Sequence, residues 1–242
     1  MDLYAHLAPL YDRLFPVNPA TITFLASLMA DRSATVDAVD LGSATGGHAF
    51  ALAALGWRVT AVEPSVDLDA LARSKAQNQG AKPHFVQGDM RDLAALVAPA
   101  SLDLVLCLGN TLPHLASLDE VFSFMGAARE ALKPGAAIVL QVLNYERIGP
   151  GFAFPPMRVE GAEFRRSYAA RHDARLSFDT ELSLGDGTVL KDSTPLLPLG
   201  PDILEAVLGA SGFLKLETRS AWDGAPFSRT ESQVLLLTAR VP

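Results

Sequence analysis

The sequence predicts an α/β fold: a parallel sheet with helices on both faces, interrupted late in the chain by an inserted antiparallel β element. Three observations carry that expectation. Between residues 34 and 145, short apolar runs alternate with apolar or amphipathic stretches of helical length. The first such run ends in an acid and turns through closely spaced glycines, with Ala38 to Gly47 reading A-V-D-L-G-S-A-T-G-G. Between Ala174 and Leu184, apolar and polar side chains alternate with a period of two.

Taken in order, residues 1–33 precede the sheet and read as a helical cover. Ile22, Leu25, Leu28 and Met29 recur at helical spacing, and Asn18 or Thr21 is placed to cap them. In Leu10 to Pro16 (L-Y-D-R-L-F-P), Tyr11 is the residue expected to lie over a ligand, whereas Tyr4 and Phe15 read as core. Strand one is expected at 36–41 with its helix at 46–54; strand two spans Arg58 to Val62 and ends at Glu63-Pro64. A helix from Ser65 to Asn78 stops at Gly80, and strand three, Pro83 to Val86, ends in Q-G-D-M. Asp92, Leu93 and Leu96 suit a short helix, and strand four, Leu102 to Leu106, ends in C-L-G-N-T-L-P-H-L. Leu118, Val121, Phe122, Met125 and Leu132 form the expected face of a long helix, ended by Lys133-Pro134-Gly135 before strand five, Ala136 to Val142.

The rhythm breaks after Asn144-Tyr145. Residues 149–200 are expected to form an inserted β element, with a loop at 149–156 and strands at Phe164 to Ala170, Ala174 to Leu184 and Thr188 to Thr194. The last two strands join through Gly185-Asp186-Gly187. Ile203, Leu204, Val207 and Leu208 then make a helix face, and strands Leu214 to Arg219 and Gln233 to Ala239 close the chain. Because sheet rhythm resumes after the insertion, the whole of 1–242 reads as a single domain.

Composition narrows the function. The 242 residues suffice for a full core, and a net charge of −7 with only short basic clusters such as Arg165-Arg166 weighs against a nucleic-acid partner. No apolar run reaches membrane-spanning length, and an N-terminus with Asp2 and no basic segment does not read as a signal peptide. The lone Cys107 has no disulfide partner and lies in an apolar strand, so it reads as a buried small hydrophobe in a reducing, cytoplasmic setting. There is no clustered Cys/His set with metal-site spacing, so no metal is expected.

The glycine turn specifies the ligand class. Gly42, Gly46 and Gly47 let the backbone approach a ligand closely, and ligands of open α/β sheets bind at such strand ends. Ala44 stands where a dinucleotide loop needs its second glycine, leaving D-x-G-x-x-x-G over Asp40, Gly42 and Gly46. This pattern resembles the first motif of the class I S-adenosylmethionine-dependent methyltransferases, D/E-x-G-x-G-x-G, with alanine at the middle glycine. Y-D-x-L at Tyr11 is also similar to the start of many small-molecule members. The segment Leu108 to Leu115 resembles the L-G-N-S/T-x-x-H-L of the glycine/sarcosine N-methyltransferase branch, and Asn144-Tyr145-Glu146 resembles that branch's N-Y-D. The arginine that precedes this asparagine in glycine N-methyltransferase is Leu143 here, which points away from glycine itself. The D-G-x-P-F loop (Asp223 to Phe227) is familiar from small-molecule methyltransferases of no assigned substrate.

The resemblance implies a Rossmann-like seven-stranded sheet whose last strand is antiparallel, with the insertion on the substrate side. It also implies S-adenosylmethionine as cofactor, S-adenosylhomocysteine as product and a small-molecule acceptor. Glu63 would accept from the ribose hydroxyls beside Pro64, and Asp89 from the adenine amino group, with Met90 against the ring. Gly42 and Ser43 would meet the methionyl end, where loop N–H groups bind its carboxylate and Asp40 or backbone carbonyls near Leu108 and Gly109 face its ammonium. Tyr11 and Gly46 complete the expected cofactor set. Asn110, His114 and Tyr145 are the expected catalytic residues. Asn110 and Tyr145 would position the acceptor and His114 would take a proton where the acceptor arrives protonated; Thr111 borders the methyl path or merely caps a helix. Arg166, Tyr168, Arg171 and His172 in the insertion reach substrate or decorate a solvated strand. The transfer is an in-line displacement, in which alignment and exclusion of water dominate. Three other readings use the same crevice: a protein methyltransferase, a nicotinamide-dependent oxidoreductase (disfavoured by the missing G-x-G-x-x-G) and a non-catalytic ligand- or protein-binding module.

Overall fold

The computed structural model describes residues 3–32, 35–78, 80 and 82–242. Met1, Asp2 and Ser33 of the expected N-terminal cover lie outside the described residues. Helices α1 (Leu3–Leu7), α2 (Tyr11–Leu14) and α3 (Pro19–Leu28) come first. Asn18 caps α3 by accepting from the Ala20 N–H at 2.9 Å, and Pro19 fits the first turn, where its missing N–H costs nothing. Thr21, the other candidate cap, is buried instead.

The main sheet then grows by right-handed units: β1 (Asp37–Leu41), α4 (Gly47–Ala54), β2 (Arg58–Glu63), α5 (Val66–Ala76), β3 (His84–Gln87), α6 (Leu93–Leu96), β4 (Leu102–Cys107), α7 (Leu118–Ala131) and β5 (Leu132–Leu143). The inserted strands are β6 (Met157–Val159), β7 (Ala162–Ala170), β8 (Leu176–Leu184) and β9 (Val189–Leu196), followed by α8 (Pro201–Ala210), β10 (Leu214–Arg219) and β11 (Val234–Arg240). The seven-stranded sheet has the order β3-β2-β1-β4-β5-β11-β10, and β6 to β9 form a separate four-stranded sheet. Strands β1 to β5 pair in parallel, and the final strand β11 runs antiparallel to both of its neighbours, as the sequence reading expects. The chain leaves β1 toward β2 and returns on its other side with β4. That reversal opens a crevice between the ends of β1 and β4.

Period-two alternation splits each central strand between two cores. Val105 and Cys107 of β4 pack under α7 and α8 with Met125, Phe124 and Phe213, whereas Leu104 and Leu106 face α3 and α4 with Leu25, Ala49 and Leu52. Leu104 is fully buried, so Leu104→Ala should cost ~2–5 kcal/mol, read as a lower urea midpoint at an unchanged slope. The inserted sheet packs its Phe164, Leu182 and Leu190 on Leu3, Leu7 and Leu14 of the first helices.

Several local expectations are corrected. Helix α7 ends at Ala131, and Lys133-Pro134-Gly135 belong to β5, where the register against β4 shifts between Leu102 and Leu104. That irregularity accommodates proline, and Lys133 reaches from it to Asp103 at 2.7 Å and Asp37 at 2.9 Å. On α7, Leu118 and Phe122 are each 42% exposed while Phe124 is buried, because Phe124, Val121, Met125 and Ala128 form the face nearest the sheet. Ile203 of α8 is likewise outside the core. The alternating strand starts at Leu176, since Ala174 turns with φ 60°, and β6 escapes sequence detection because three residues carry too little pattern.

Candidate functional site

A cavity of about 1070 Å³ lies over the ends of β1, β2 and β4 and runs outward to the inserted sheet. Its floor is the turn after β1. Gly42 takes φ 72°, and a Cβ there would lie 2.4 Å from Thr111 Cγ2, so only glycine lets the β1 and β4 loops meet. Ala44, at the position of the missing middle glycine, adopts a left-handed φ of 49° despite its side chain. Gly46, at φ 79°, starts α4 and sits under Phe85 without lining the cavity.

The polar groups of this floor divide into engaged and unengaged sets. The Gly42 and Ser43 N–H groups both donate to the Val62 carbonyl, at 2.8 and 3.1 Å, so they are not the free donors the sequence reading assigned to a carboxylate. The Leu108 carbonyl accepts from both the hydroxyl and the N–H of Thr111, at 2.7 and 3.2 Å, which uses the acceptor expected beside an ammonium. On this floor Asp40 Oδ2 and Ser43 Oγ are buried with no hydrogen-bond partner among the described residues. Burial pushes the Asp40 carboxyl up to about 7, because nothing nearby compensates a charge there.

Glu63 closes the next strand end. It is buried, its Oε2 accepting from the Ala44 N–H at 2.8 Å and its Oε1 from the Ser65 N–H at 2.9 Å. Each oxygen keeps a lone pair at the cavity wall. Burial raises its pKa, and the two backbone bonds oppose that rise. Pro64 lines the cavity beside it. Asp89 also lines it, but its carboxylate caps the turn Met90–Asp92 through the Arg91 N–H at 2.9 Å and pairs with the Arg91 guanidinium at 2.8 Å. Met90 is buried against the same wall.

Past β4, Gly109 donates to Gln141 Oε1 at 3.1 Å, and Asn110 turns in the left-handed region at φ 68°. Asn110 Oδ1 accepts from the Leu143 N–H at 2.9 Å, and its Nδ2 lies 2.9 Å from the Tyr145 hydroxyl. Asn110 lines the cavity, whereas Tyr145 does not and touches its wall through Asn110 and, edge-on at 6.5 Å, through the Tyr168 ring. His114 stands at the rim, where desolvation by the packed protein around its ring and the Arg91 guanidinium lower its imidazole pKa against the opposing pull of Asp89, so it is neutral at pH 7. Asn144 does not line the cavity. It is fully buried and donates to the carbonyls of Arg229 (2.7 Å) and Ser232 (2.9 Å), tying the end of β5 to the segment before β11.

The first helices form one wall. Tyr11 lines the cavity and meets the Phe15 ring at a 45° tilt with centroids 4.8 Å apart, and burial and the neighbouring Glu63 raise its hydroxyl pKa. Asp12, which the sequence did not single out, accepts from the Thr45 hydroxyl and pairs with Lys75 at 2.7 Å, clasping α2 to the glycine turn. Tyr4 and Phe15, expected in the core, also line the cavity. The inserted element continues this wall through Phe154, Phe164, Arg166, Tyr168, Phe178 and Thr180, the Phe15 and Phe164 rings meeting edge-on at 5.9 Å. Arg166 and Tyr168 share a strand face with Phe164, a period-two signal present in the sequence, while Arg171 is tied to Asp173 at 3.3 Å and, like His172, lies off the cavity. Cys107 is fully buried, and burial raises its thiol pKa. Among the described residues no group of acids, histidines and cysteines could hold a metal ion, and no helix is long and apolar enough to cross a membrane.

Residues 38–135 match the profile of a family described as "Methyltransferase domain". The chain is 30% identical over 151 residues to the ubiquinone biosynthesis O-methyltransferase of Xanthomonas campestris pv. campestris (strain B100), which covers 62% of this chain and 58% of that protein. It is 24% identical over 194 residues to the glycine/sarcosine N-methyltransferase of Halorhodospira halochloris, covering 74% of this chain and 66% of the other. The chain thus spans less than two thirds of the length of both relatives. Its fold superposes on an S-adenosylmethionine-dependent methyltransferase of Clostridium acetobutylicum ATCC 824 with a TM-score of 0.82 at 17% identity, over 99% of each chain.

Proposed function

We propose that the chain is a class I S-adenosylmethionine-dependent methyltransferase that transfers the sulfonium methyl group to a small-molecule acceptor, releasing S-adenosylhomocysteine; the methyltransferase-domain match over residues 38–135 and the seven-stranded sheet support this reading. The observation that carries the proposal is the pair of buried, unpartnered atoms at the end of β1, Asp40 Oδ2 and Ser43 Oγ, in one cavity with Glu63. Unpaired buried polar atoms are costly, and this pair suits an amino-acid head: a carboxylate to accept from an ammonium, a hydroxyl to donate to a carboxylate. Glu63 supplies further acceptor lone pairs for two ribose hydroxyls. When bound, S-adenosylmethionine supplies an electrophilic methyl on a positively charged sulfur, a good leaving group.

The chain's own contribution is positional. Asn110, fixed by Leu143 and Tyr145, offers an amide at the cavity surface to orient the acceptor nucleophile toward the methyl carbon. Asn110 thereby holds that nucleophile's line of approach to the methyl carbon of a bound S-adenosylmethionine, whose carbon–sulfur electron pair would stay on sulfur. The aromatic wall of Phe154, Tyr168 and Phe178 keeps competing water from the reacting atoms. His114, neutral at pH 7 and within the same cavity, takes the proton of an acceptor that arrives protonated.

Titration calorimetry with S-adenosylmethionine and S-adenosylhomocysteine tests the reading. Saturable binding of both at micromolar concentration is expected, and no heat at millimolar ligand would overturn it. The supporting chemistry does not require a nicotinamide, so NADH fluorescence should be unchanged on adding the protein.

A further inference from the structure

The cavity holds one cation for which the protein provides no counter-charge. Within the insertion, Arg158 and Arg165 pair with Glu163, Arg171 and Arg175 with Asp173, and Lys191 with Glu181, all at 2.5–3.3 Å. Arg166 has no such partner among the described residues. Its guanidinium instead lies between two rings, 4.7 Å from the centroid of Phe154 and 5.7 Å from that of Phe15, with a buried Nε that makes no hydrogen bond. On its own strand face the ladder runs Arg166–Thr180–Asp192, so the nearest acid in register stands two strands away, and Asp192 already accepts from the Thr194 hydroxyl at 3.0 Å.

An arginine in this setting is expensive to maintain. Burial works against its charge, and only the Tyr168 and Tyr11 hydroxyls oppose that, with no carboxylate contributing. The two aromatic faces hold the guanidinium plane in place and leave its N–H fork without an acceptor. A guanidinium fork so fixed matches the planar oxygens of a carboxylate or a phosphate bidentately. Arg166 lines the same cavity as Asp40, Asn110 and Tyr168 and stands on the inserted sheet, the part of the fold expected on the substrate side, which assigns it to the acceptor.

We propose that Arg166 is the specificity-determining residue for the acceptor, and that the acceptor carries an anionic group, a carboxylate or a phosphate monoester, bound by this guanidinium between Phe15 and Phe154. This inference rests on the methyltransferase reading for its assignment to the acceptor side, but anion binding at Arg166 is measurable without turnover.

The test is calorimetry on the protein saturated with S-adenosylhomocysteine, using benzoate, phenyl phosphate and uncharged benzamide as probes. One anion should bind at least tenfold more tightly than benzamide; benzoate as the better probe identifies a carboxylate acceptor, phenyl phosphate a phosphorylated one. R166Q should lose at least tenfold in affinity for that anion while its S-adenosylhomocysteine affinity changes less than threefold. R166K, which keeps the charge without the fork, should fall between them. Equal binding of benzamide and both anions, or anion affinity unchanged in R166Q, would overturn the proposal. Should S-adenosylhomocysteine itself fail to bind, the methyltransferase reading falls. The same anion series on the unloaded protein then decides the Arg166 site separately: anion binding lost in R166Q upholds it, and absence of anion binding overturns it.

Discussion

Asp40→Asn should lower S-adenosylhomocysteine affinity by roughly 30- to 100-fold at pH 8 while making the unliganded protein more stable there than the parent. Both effects arise from one buried carboxylate. Removing its charge deletes an ion-assisted hydrogen bond to the ligand ammonium, worth ~2–3 kcal/mol. In the free protein the same charge is a liability. The folded-state pKa of Asp40 is raised to about 7, above the unfolded value, so protonated Asp40 contributes stability that is fully present below about pH 4. That contribution is lost as pH rises through about 7, by up to ~4 kcal/mol for a shift of this size. The variant cannot ionise, so the difference in stability between variant and parent should grow between pH 4 and pH 8. Ligand binding to the parent near pH 6 should release close to one proton, read as a dependence of calorimetric heat on the buffer's ionisation enthalpy, and the variant should release none from this position. A parent and variant with parallel pH–stability curves would show that Asp40 is charged and compensated in the free protein.

Glu63→Ala should cost both stability, by ~2–4 kcal/mol, and cofactor affinity, by tenfold or more. The first term follows from the two backbone N–H groups, Ala44 and Ser65, that Glu63 holds, since each would lose its partner in a part-buried place. The second follows from losing two acceptors for the ribose hydroxyls. Glu63→Gln is the sharper variant. An amide offers one acceptor and one donor group, so it meets two backbone donors with only one acceptor, and one N–H ends facing an NH2. It should therefore destabilise almost as much as alanine despite its matching size. Chemical denaturation and calorimetry of both variants check this; Glu63→Gln behaving as the parent would mean that neither the loop nor the ligand depends on a carboxylate there.

Much of the fold was legible because its strands carry their own signals. The apolar runs of β1, β4 and β5, the acid-and-glycine turn after β1 and the strict alternation of β8 mark the two sheets and their junction. The helix face of α7 was misread by a few residues because Phe122 and Phe124 are equally apolar, and only the sheet beneath decides which one is buried. In the site, Asp40, Gly42, Ser43, Glu63, Asp89 and Asn110 line one cavity, whereas Gly46 and Tyr145 do not. What the sequence hides is competition for hydrogen-bonding groups. The loop N–H groups of Gly42 and Ser43 and the Leu108 carbonyl look free in one dimension but are taken by Val62 and Thr111 in three. Asp12 was missed for a related reason, since its partners Thr45 and Lys75 lie on distant segments, and Arg166, named together with Tyr168, Arg171 and His172, is set apart from them only by its contacts with Phe15 and Phe154.

The packing of Leu3, Leu7 and Leu14 on Phe164, Leu182 and Leu190 has a consequence for how the molecule is made. The turns that carry these leucines leave the ribosome well before the surface they settle on, which is synthesised at least 150 residues later. Such a long closure is entropically slow, and the apolar face of those turns stays uncovered meanwhile. The cavity is therefore completed late in folding, after the parallel sheet exists, and newly made protein should gain ligand affinity in a step that lags the burial of its central strands.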